Sequence, residues 1–393
     1  MFSTFPLRKL PFVALKHVIK VMEIDEIVKI AVTSKYMESI VKFCCIRIGG
    51  TIVSFHGEYS YISLYYPVML LFFCSKQLFE HPSRPKVTKQ DLKPWLSDTS
   101  TILENTRQLF TRIHKLFQCG PYRLMINSST KNIKKILETP EFRNFKALVL
   151  YGGHFKKEQL DKVMEFEIDD QDLRIIRGVI PEDYYHPNLF KYTAVHYCDA
   201  RWIRLEHLLS IKNNFEIKLG KNNLTIPDIN TFLHHWMTSE YEPFKFISID
   251  IDKESSIPLD VLFRGITVLR GYRFGTWRRL ISVKSPMTRS LQIMSIVWTD
   301  SRIDMSTWSI HERPKQGGRD DEPYVPEFKV LQLLKQRRVL NLKLKRVEEF
   351  SPEKQELIKK IDDRNNQLQL RGVEFNNGWP VLRGVDASVR VLA

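Results

Sequence analysis

The sequence predicts an α/β protein, α+β overall. A three-helix N-terminal module precedes an irregular, leucine-rich-repeat-like array of strand-helix units and a helical C-terminal tail. Three observations carry this expectation. Residues 1–45 hold three short amphipathic patterns. Five strand-like runs, at 145–150, 173–179, 192–197, 215–219 and 246–251, alternate with amphipathic runs. Beyond residue 328 two longer helical patterns follow a stretch rich in Gly, Pro and charge. Strand, crossover and strand at this length give parallel sheets. The runs start about 19 to 31 residues apart, which overlaps leucine-rich repeats but lacks their strict period.

Leu10 and Pro11 open the first helix, whose stripe of Phe12, Leu15, Val18, Ile19 and Met22 has three-and-four spacing. Pro11 suits a first helical turn, where its missing N–H costs no bond. Asp25 is placed to cap a second helix with Ile27, Val28, Ile30 and Ala31 inward. Ser34 opens a third, with Met37, Ile40 and Val41 inward. Helices of about ten residues bury too little to stand alone, so a partner or the rest of the chain must complete their core. Periodicity alone favours a helical cap on a larger domain.

Residues 43–65 contain short β-rich runs punctuated at Gly49-Gly50 and His56-Gly57, the pattern of a small antiparallel element. The apolar run 61–74 is broken by Pro67 and falls short of the roughly 20 residues that span a bilayer, so it reads as core. Residues 82–94, with Lys86, Lys89 and Lys93, read as an exposed loop, and 91–117 have helical spacing. The clearest strand-helix unit covers 214–251. Phe215, Ile217 and Leu219 alternate with Glu216 and Lys218 as a half-buried strand does. Thr225 and Asp228 stand as a capping box around Pro227, and Ile229, Phe232, Leu233, Trp236 and Met237 share one helical face. Residues 314–326 read as a linker. Helical patterns follow at 328–349 and, after Ser351-Pro352, at 353–368.

The chain has 393 residues, 43% hydrophobic and 27% charged, enough for a small module and one large domain. The expected division is 1–45, a small helical docking module; 46–310, an α/β recognition domain; 311–327, a linker; and 328–393, a basic helical tail. Lys16 interrupts the apolar stretch 11–15, so no signal peptide is expected. Five cysteines without a C-x-x-C pair favour a reducing compartment, cytoplasmic or nuclear, which makes the sequons at Asn127 and Asn223 incidental. Neither Cys44-Cys45 nor His196-Tyr197-Cys198 has zinc-site spacing, so no metal or cofactor is expected.

Two stretches resemble known families. Leu10-Pro11, Leu15, Val18-Ile19, Ile27, Ile30-Ala31, Ser34-Lys35 and Ile40 are similar to the F-box, in the form of the large nematode families that place Phe-Pro-Leu ahead of the Leu-Pro, as Phe5-Pro6-Leu7 does here. The resemblance implies docking to the S-phase-kinase-associated adaptor of a cullin-RING ubiquitin ligase. Leu10, Pro11, Leu15, Val18, Ile19, Ile27 and Ser34 match positions that face the adaptor. Residues 190–265 resemble the F-box-associated domain type 2, through Leu219, Leu224, Thr225, Asp228, Ile229, Asn230, Phe232, Leu233, His235, Trp236, Phe246, Ile249 and Ile251. Residues 293–300 look like the strand that closes such chains. The family implies recruitment of a protein substrate by this domain. Thr225, Asp228, Phe232, Leu233 and Trp236 are expected to be structural, and His235 a packing or cap residue.

Other classes fare less well. Asp250 and Asp252 put two carboxylates at a strand end without a third acidic ligand. Gly265, Gly271 and Gly275 do not form G-x-G-x-x-G, and neither a G-K-[ST] loop nor G-x-S-x-G occurs. A non-enzymatic receptor is therefore expected. The alternative is a nucleic-acid-associated protein, suggested by the net charge of +15 and the basic stretch 329–346. That stretch also fits a solvated helix with Leu331, Leu334, Val339 and Leu342 toward a core.

Overall fold

A computed structural model describes residues 7–66, 68–75, 87–88, 90–167, 170–251, 257–284, 289–312, 315–316, 319–320, 323–347 and 351–382. The chain forms two compact units, Met1–Asn188 and Leu189–Ala393. Both are built from helices and strands, with the N-terminal helices followed by strands as an α/β chain requires. Among the described residues no helix is long and apolar enough to cross a membrane.

The first unit opens with α1 (Phe12–Val21), α2 (Ile24–Val32) and α3 (Lys35–Phe43). Pro11 keeps an extended ψ of 144° immediately before α1. Asp25 does not cap α2. The helix starts earlier, with Glu23 at the N-cap, because the Glu26 carboxylate reaches back to accept the Glu23 N–H at 3.2 Å. Asp25 sits buried in the first turn, 3.7 Å from Lys29. Ser34 caps α3, its hydroxyl accepting the Met37 N–H at 3.3 Å. Glu38 on α3 ties the bundle to α4 (Ile102–Leu116) by accepting Arg112 Nη1 on both carboxylate oxygens, at 3.2 and 3.3 Å.

Short strands β1 (Arg47–Ile48) and β5 (Gln118–Cys119) pair beside the main sheet of this unit. Its order is β4 (Val68–Ser75), β3 (Tyr59–Tyr66), β2 (Gly50–Phe55), β6 (Tyr122–Asn127), β7 (Ala147–Tyr151), β8 (Asp172–Ile176). The antiparallel element expected from 43–65 is the meander β2 to β4, but it extends further and its β2 edge runs parallel to β6. Strands β6, β7 and β8 are parallel, with α5 (Ile133–Leu137) and α6 (Lys157–Glu165) in the crossovers. At their carboxyl ends the buried Ser54 hydroxyl lies 3.2 Å from both His56 Nε2 and the Tyr151 hydroxyl, and Tyr59 stacks on His56 at 4.4 Å. Burial pushes the Tyr151 phenol well above its usual range.

The second unit repeats the parallel scheme with β9 (Ala194–Asp199), α7 (Leu205–Leu209), β10 (Asn214–Lys221), α8 (Ile226–Thr238) and β11 (Phe244–Asp250). After α9 (Leu259–Leu262) the sheet turns antiparallel through β12 (Leu269–Arg273), β13 (Thr276–Ser282), β14 (Ile293–Thr299) and β15 (Arg302–Trp308), with β15 against β11. The strand-helix array is thus confined to two parallel runs. Strands β16 (Lys315–Gln316) and β17 (Arg319–Asp320) form a small pair of their own.

The tail does not hang from a joint. Helix α10 (Val325–Leu344) begins inside the stretch expected as a linker, and Tyr324 and Glu327 are buried. Leu331 and Leu334 join Leu269, Leu280 and Ile293 of the sheet in one core, together with Leu368 of α11 (Pro352–Leu370). Val339 and Leu342, expected inward, are exposed. The expectation of a linker followed by a wholly helical tail fails because apolar residues at the start of α10 pack on Leu269 and Leu280 of β12 and β13. A hairpin follows, β18 (Val373–Asn376) and β19 (Trp379–Leu382), in which β19 extends the sheet parallel to β12. Asn377 and Gly378, both at positive φ, make its two-residue turn.

Candidate functional site

The N-terminal bundle divides its apolar residues between an inside and an outside. Leu15, Ile19 and Ile27, expected to face a partner, are buried at 1%, 0% and 1% exposure. Val18 and Leu10 are half-buried, Pro11 is exposed, and the half-buried Ser34 uses its hydroxyl as a cap. Phe12 heads the sequence stripe yet lies outside, 51% exposed, with its ring edge-on to Phe43 at 6.4 Å. Val13 and Phe43 are exposed beside it in the chain and across the ring pair. The bundle therefore turns the apolar side chains of Pro11, Phe12 and Phe43 to solvent. Phe43 escaped sequence reasoning because it lies just past the inward Ile40 and Val41, where the helical pattern assigns no role.

The second candidate region is β10-α8-β11. The alternation of β10 is right at Ile217 and Leu219, but Phe215 is exposed and Asn214 buried in its place. Asn214 Nδ2 donates to the carbonyls of Phe190 (2.9 Å) and Tyr192 (2.7 Å), and this polar anchor sets the strand's first residues out of phase. Gly220 is forced by close packing: a Cβ there would lie 2.2 Å from the Cys198 carbonyl oxygen. The Thr225 hydroxyl accepts the Asp228 N–H at 3.3 Å, and the Asp228 carboxylate accepts the Thr225 N–H at 2.9 Å. The cap holds α8 so that Phe232, Leu233 and Trp236 are fully buried. Phe232 stacks on Phe244 at 5.6 Å.

Buried Arg289 closes this core from the far side. Its guanidinium lies 4.7 Å over the Trp236 ring, Nη1 donates to the Trp236 carbonyl at 2.5 Å, and Nη2 pairs with Glu242 at 3.1 Å. Asn230 Nδ2 donates to the carbonyls of Leu262 and Arg264, pinning α9. His235 bonds the Tyr241 hydroxyl at 3.1 Å, and burial lowers its pKa, which keeps the ring neutral. These polar groups serve the packing of the unit.

Asp250 has its pKa raised by burial at the end of β11, and Asp252 lies outside the described residues. His196 Nε2 and Cys198 Sγ are 3.6 Å apart on β9, and all five cysteines are free. Among the described residues no three His, Cys, Asp or Glu side chains gather as a metal site.

Residues 186–262 match the protein family described as F-box associated. The match begins in the last three residues of the first unit and covers β9 through α9 of the second. No curated protein and no solved structure matches the chain.

Proposed function

We propose that this chain is a non-enzymatic substrate-receptor subunit of a cullin-RING ubiquitin ligase of the Skp-cullin-F-box type, working in the cytoplasm or nucleus. The N-terminal helices would dock on the S-phase-kinase-associated adaptor, and the α/β region would recruit a protein substrate. The observation that carries this reading is the F-box-associated segment at 186–262, preceded in the chain by a three-helix bundle with an outward apolar surface at Pro11, Phe12 and Phe43. The F-box resemblance around Leu10-Pro11 and its nematode form belong to the same proposal. Ubiquitin chemistry would reside in other subunits, leaving this chain to supply proximity and orientation.

The burial pattern supports a division of roles among the proposed docking residues. Leu10, Pro11 and Val18 keep surface for an adaptor, whereas Leu15, Ile19 and Ile27 act by shaping the bundle beneath it. The test is titration of purified adaptor against the full chain and two variants. Pro11→Ser with Phe12→Ser should abolish binding while leaving thermal stability unchanged. Leu15→Ala should lower binding together with stability, by about 2–5 kcal/mol for a buried leucine. Adaptor binding that is equally tight in the Pro11/Phe12 variant would sink the assignment.

A further inference from the structure

The β12-β13 hairpin has two faces of opposite character. Cross-strand partners Leu269 and Leu280 turn toward α10 and its core. The opposite face carries the next pairs, Arg270 with Arg279 and Tyr272 with Trp277, because directly paired residues share a face and alternate along the strand. Tyr272 and Trp277 are 50% and 43% exposed, and their rings meet edge to face at 5.4 Å. The Arg270 guanidinium lies 4.6 Å over Trp277, and that of Arg279 lies 5.6 Å over Trp298.

Like charges directly opposite one another in a sheet repel. Here two guanidinium groups are paired so, and among the described residues neither forms an ion pair or a hydrogen bond with a carboxylate. Both Nε atoms are buried without an acceptor. Burial and the neighbouring Arg270 lower the pKa of Arg279. Exposed Glu374 lies on the same face two strands away, through Val381, a separation of about 10 Å at normal strand spacing. An anion beside the guanidinium groups would offset the repulsion.

We propose that this face binds single-stranded nucleic acid, with phosphates neutralised by Arg270 and Arg279 and bases stacked on Tyr272 and Trp277. The exposed rings decide the class of anion. A carboxylate or phosphate group alone would answer the arginines, whereas half-exposed guanidinium groups beside the exposed Tyr272 and Trp277 rings at the hairpin answer a chain that alternates charge with flat bases. The net charge of +15 adds long-range attraction for a polyanion. This inference goes beyond the substrate-receptor reading and does not rest on it.

The test uses the full chain and fluorescein-labelled 12-mers of oligouridylate and oligothymidylate, followed by anisotropy at several salt concentrations between 50 and 200 mM. The parent should bind, more weakly as salt rises. Arg270→Gln with Arg279→Gln should weaken binding and reduce the log-log salt slope by about 1.4, the value for two phosphates of a single strand. Tyr272→Ala, at an exposed position, should weaken binding about tenfold without changing that slope. Lys343→Gln with Lys345→Gln removes two exposed charges on and beside α10 and should have less than a threefold effect. The proposal is overturned if the parent does not bind at 50 mM salt, or if the Lys343/Lys345 pair costs as much as the arginine pair. It also fails if Tyr272→Ala binds as the parent does, or if a phosphopeptide of equal charge displaces the oligonucleotide at lower concentration. Should the arginine variant fail to fold, the Tyr272→Ala result decides alone.

Discussion

Glu327 and Arg273 join the C-terminal helices to the sheet, and cutting this link should cost more than any surface ion pair in the molecule. Glu327 stands in the first turn of α10, where the helix dipole favours a carboxylate, and Arg273 ends β12. Arg273 Nη2 and Nε approach the same carboxylate oxygen at 2.6 and 2.7 Å, with side-chain exposures of 10% and 6%. The same guanidinium donates to the Pro323 carbonyl at 3.2 Å and lies 4.9 Å over Tyr324. Removing one member of such a pair strands a charge away from water, at about 3–5 kcal/mol, whereas an exposed pair such as Lys134–Glu138 contributes about 0–1 kcal/mol. Arg273→Met and Glu327→Leu should each reach the larger figure. The double variant, with no stranded charge, should recover to within about 1–2 kcal/mol of the parent or exceed it. Urea unfolding of the full chain, read by circular dichroism, measures all four corners of the cycle. In domains of 150–250 residues each kcal/mol moves Tm by about 2–4 °C, so either single variant should melt well below the parent. Single losses under about 1 kcal/mol that simply add in the double variant would refute the docking of α10 on β12.

Phe232→Ala and Trp236→Ala should each destabilise the second unit by about 3–5 kcal/mol, the cost of truncating a buried aromatic. Full stability with loss of a partner would instead make α8 a recognition surface. Thr225→Ala removes the α8 cap and should cost about 1 kcal/mol, with Thr225→Ser close to the parent; equal losses in both would argue against the hydroxyl. Lys335, whose Nζ donates to the carbonyls of Ser282 and Val283, has its pKa pushed down by burial to about 8. From about 8 to the ordinary lysine value near 10.5 the unfolded chain binds the extra proton, so stability rises with pH through that window. Lys335→Met should flatten the rise; parallel curves for parent and variant from pH 8 to 9.5 would exclude this lysine as its source.

Elements whose own residues carry a complete local signal were legible in the sequence. Helix α8 joins a cap, an N-terminal proline and a five-residue apolar face within thirteen positions, and it forms where expected. Ser34 and α3 are equally self-contained. Long-range packing decided the cases that went differently. Phe12 and Leu15 are both on the apolar stripe of α1, but only the position of α3 and the rest of the unit determines which is covered. The start of α10 resembles a loop because Pro323 and Pro326 flank Tyr324, yet Pro326 suits a first turn, and the burial of Tyr324 depends on a hairpin some fifty residues earlier. The turn at Asn377-Gly378 was a strong local signal that the helical reading of the tail passed over. The apolar surface at Pro11, Phe12 and Phe43 was half visible, through its Leu-Pro start, while the pairing of Arg270 with Arg279 needed the register of the hairpin.

The parallel seat of β19 beside β12 bears on how the chain is made. All of α10, α11 and β18 separate the two strands in sequence, so during synthesis β12 leaves the ribosome long before the strand that will cover its edge. Until then the unpaired edge lies next to Leu269, Leu280 and Ile293, still waiting for the helices that will cover them. An open strand edge beside apolar surface is a template for aggregation. A message with a premature stop after β15 would therefore yield no shortened working protein. It would yield a finished first unit fused to an adhesive half-sheet, a product for chaperones and proteases.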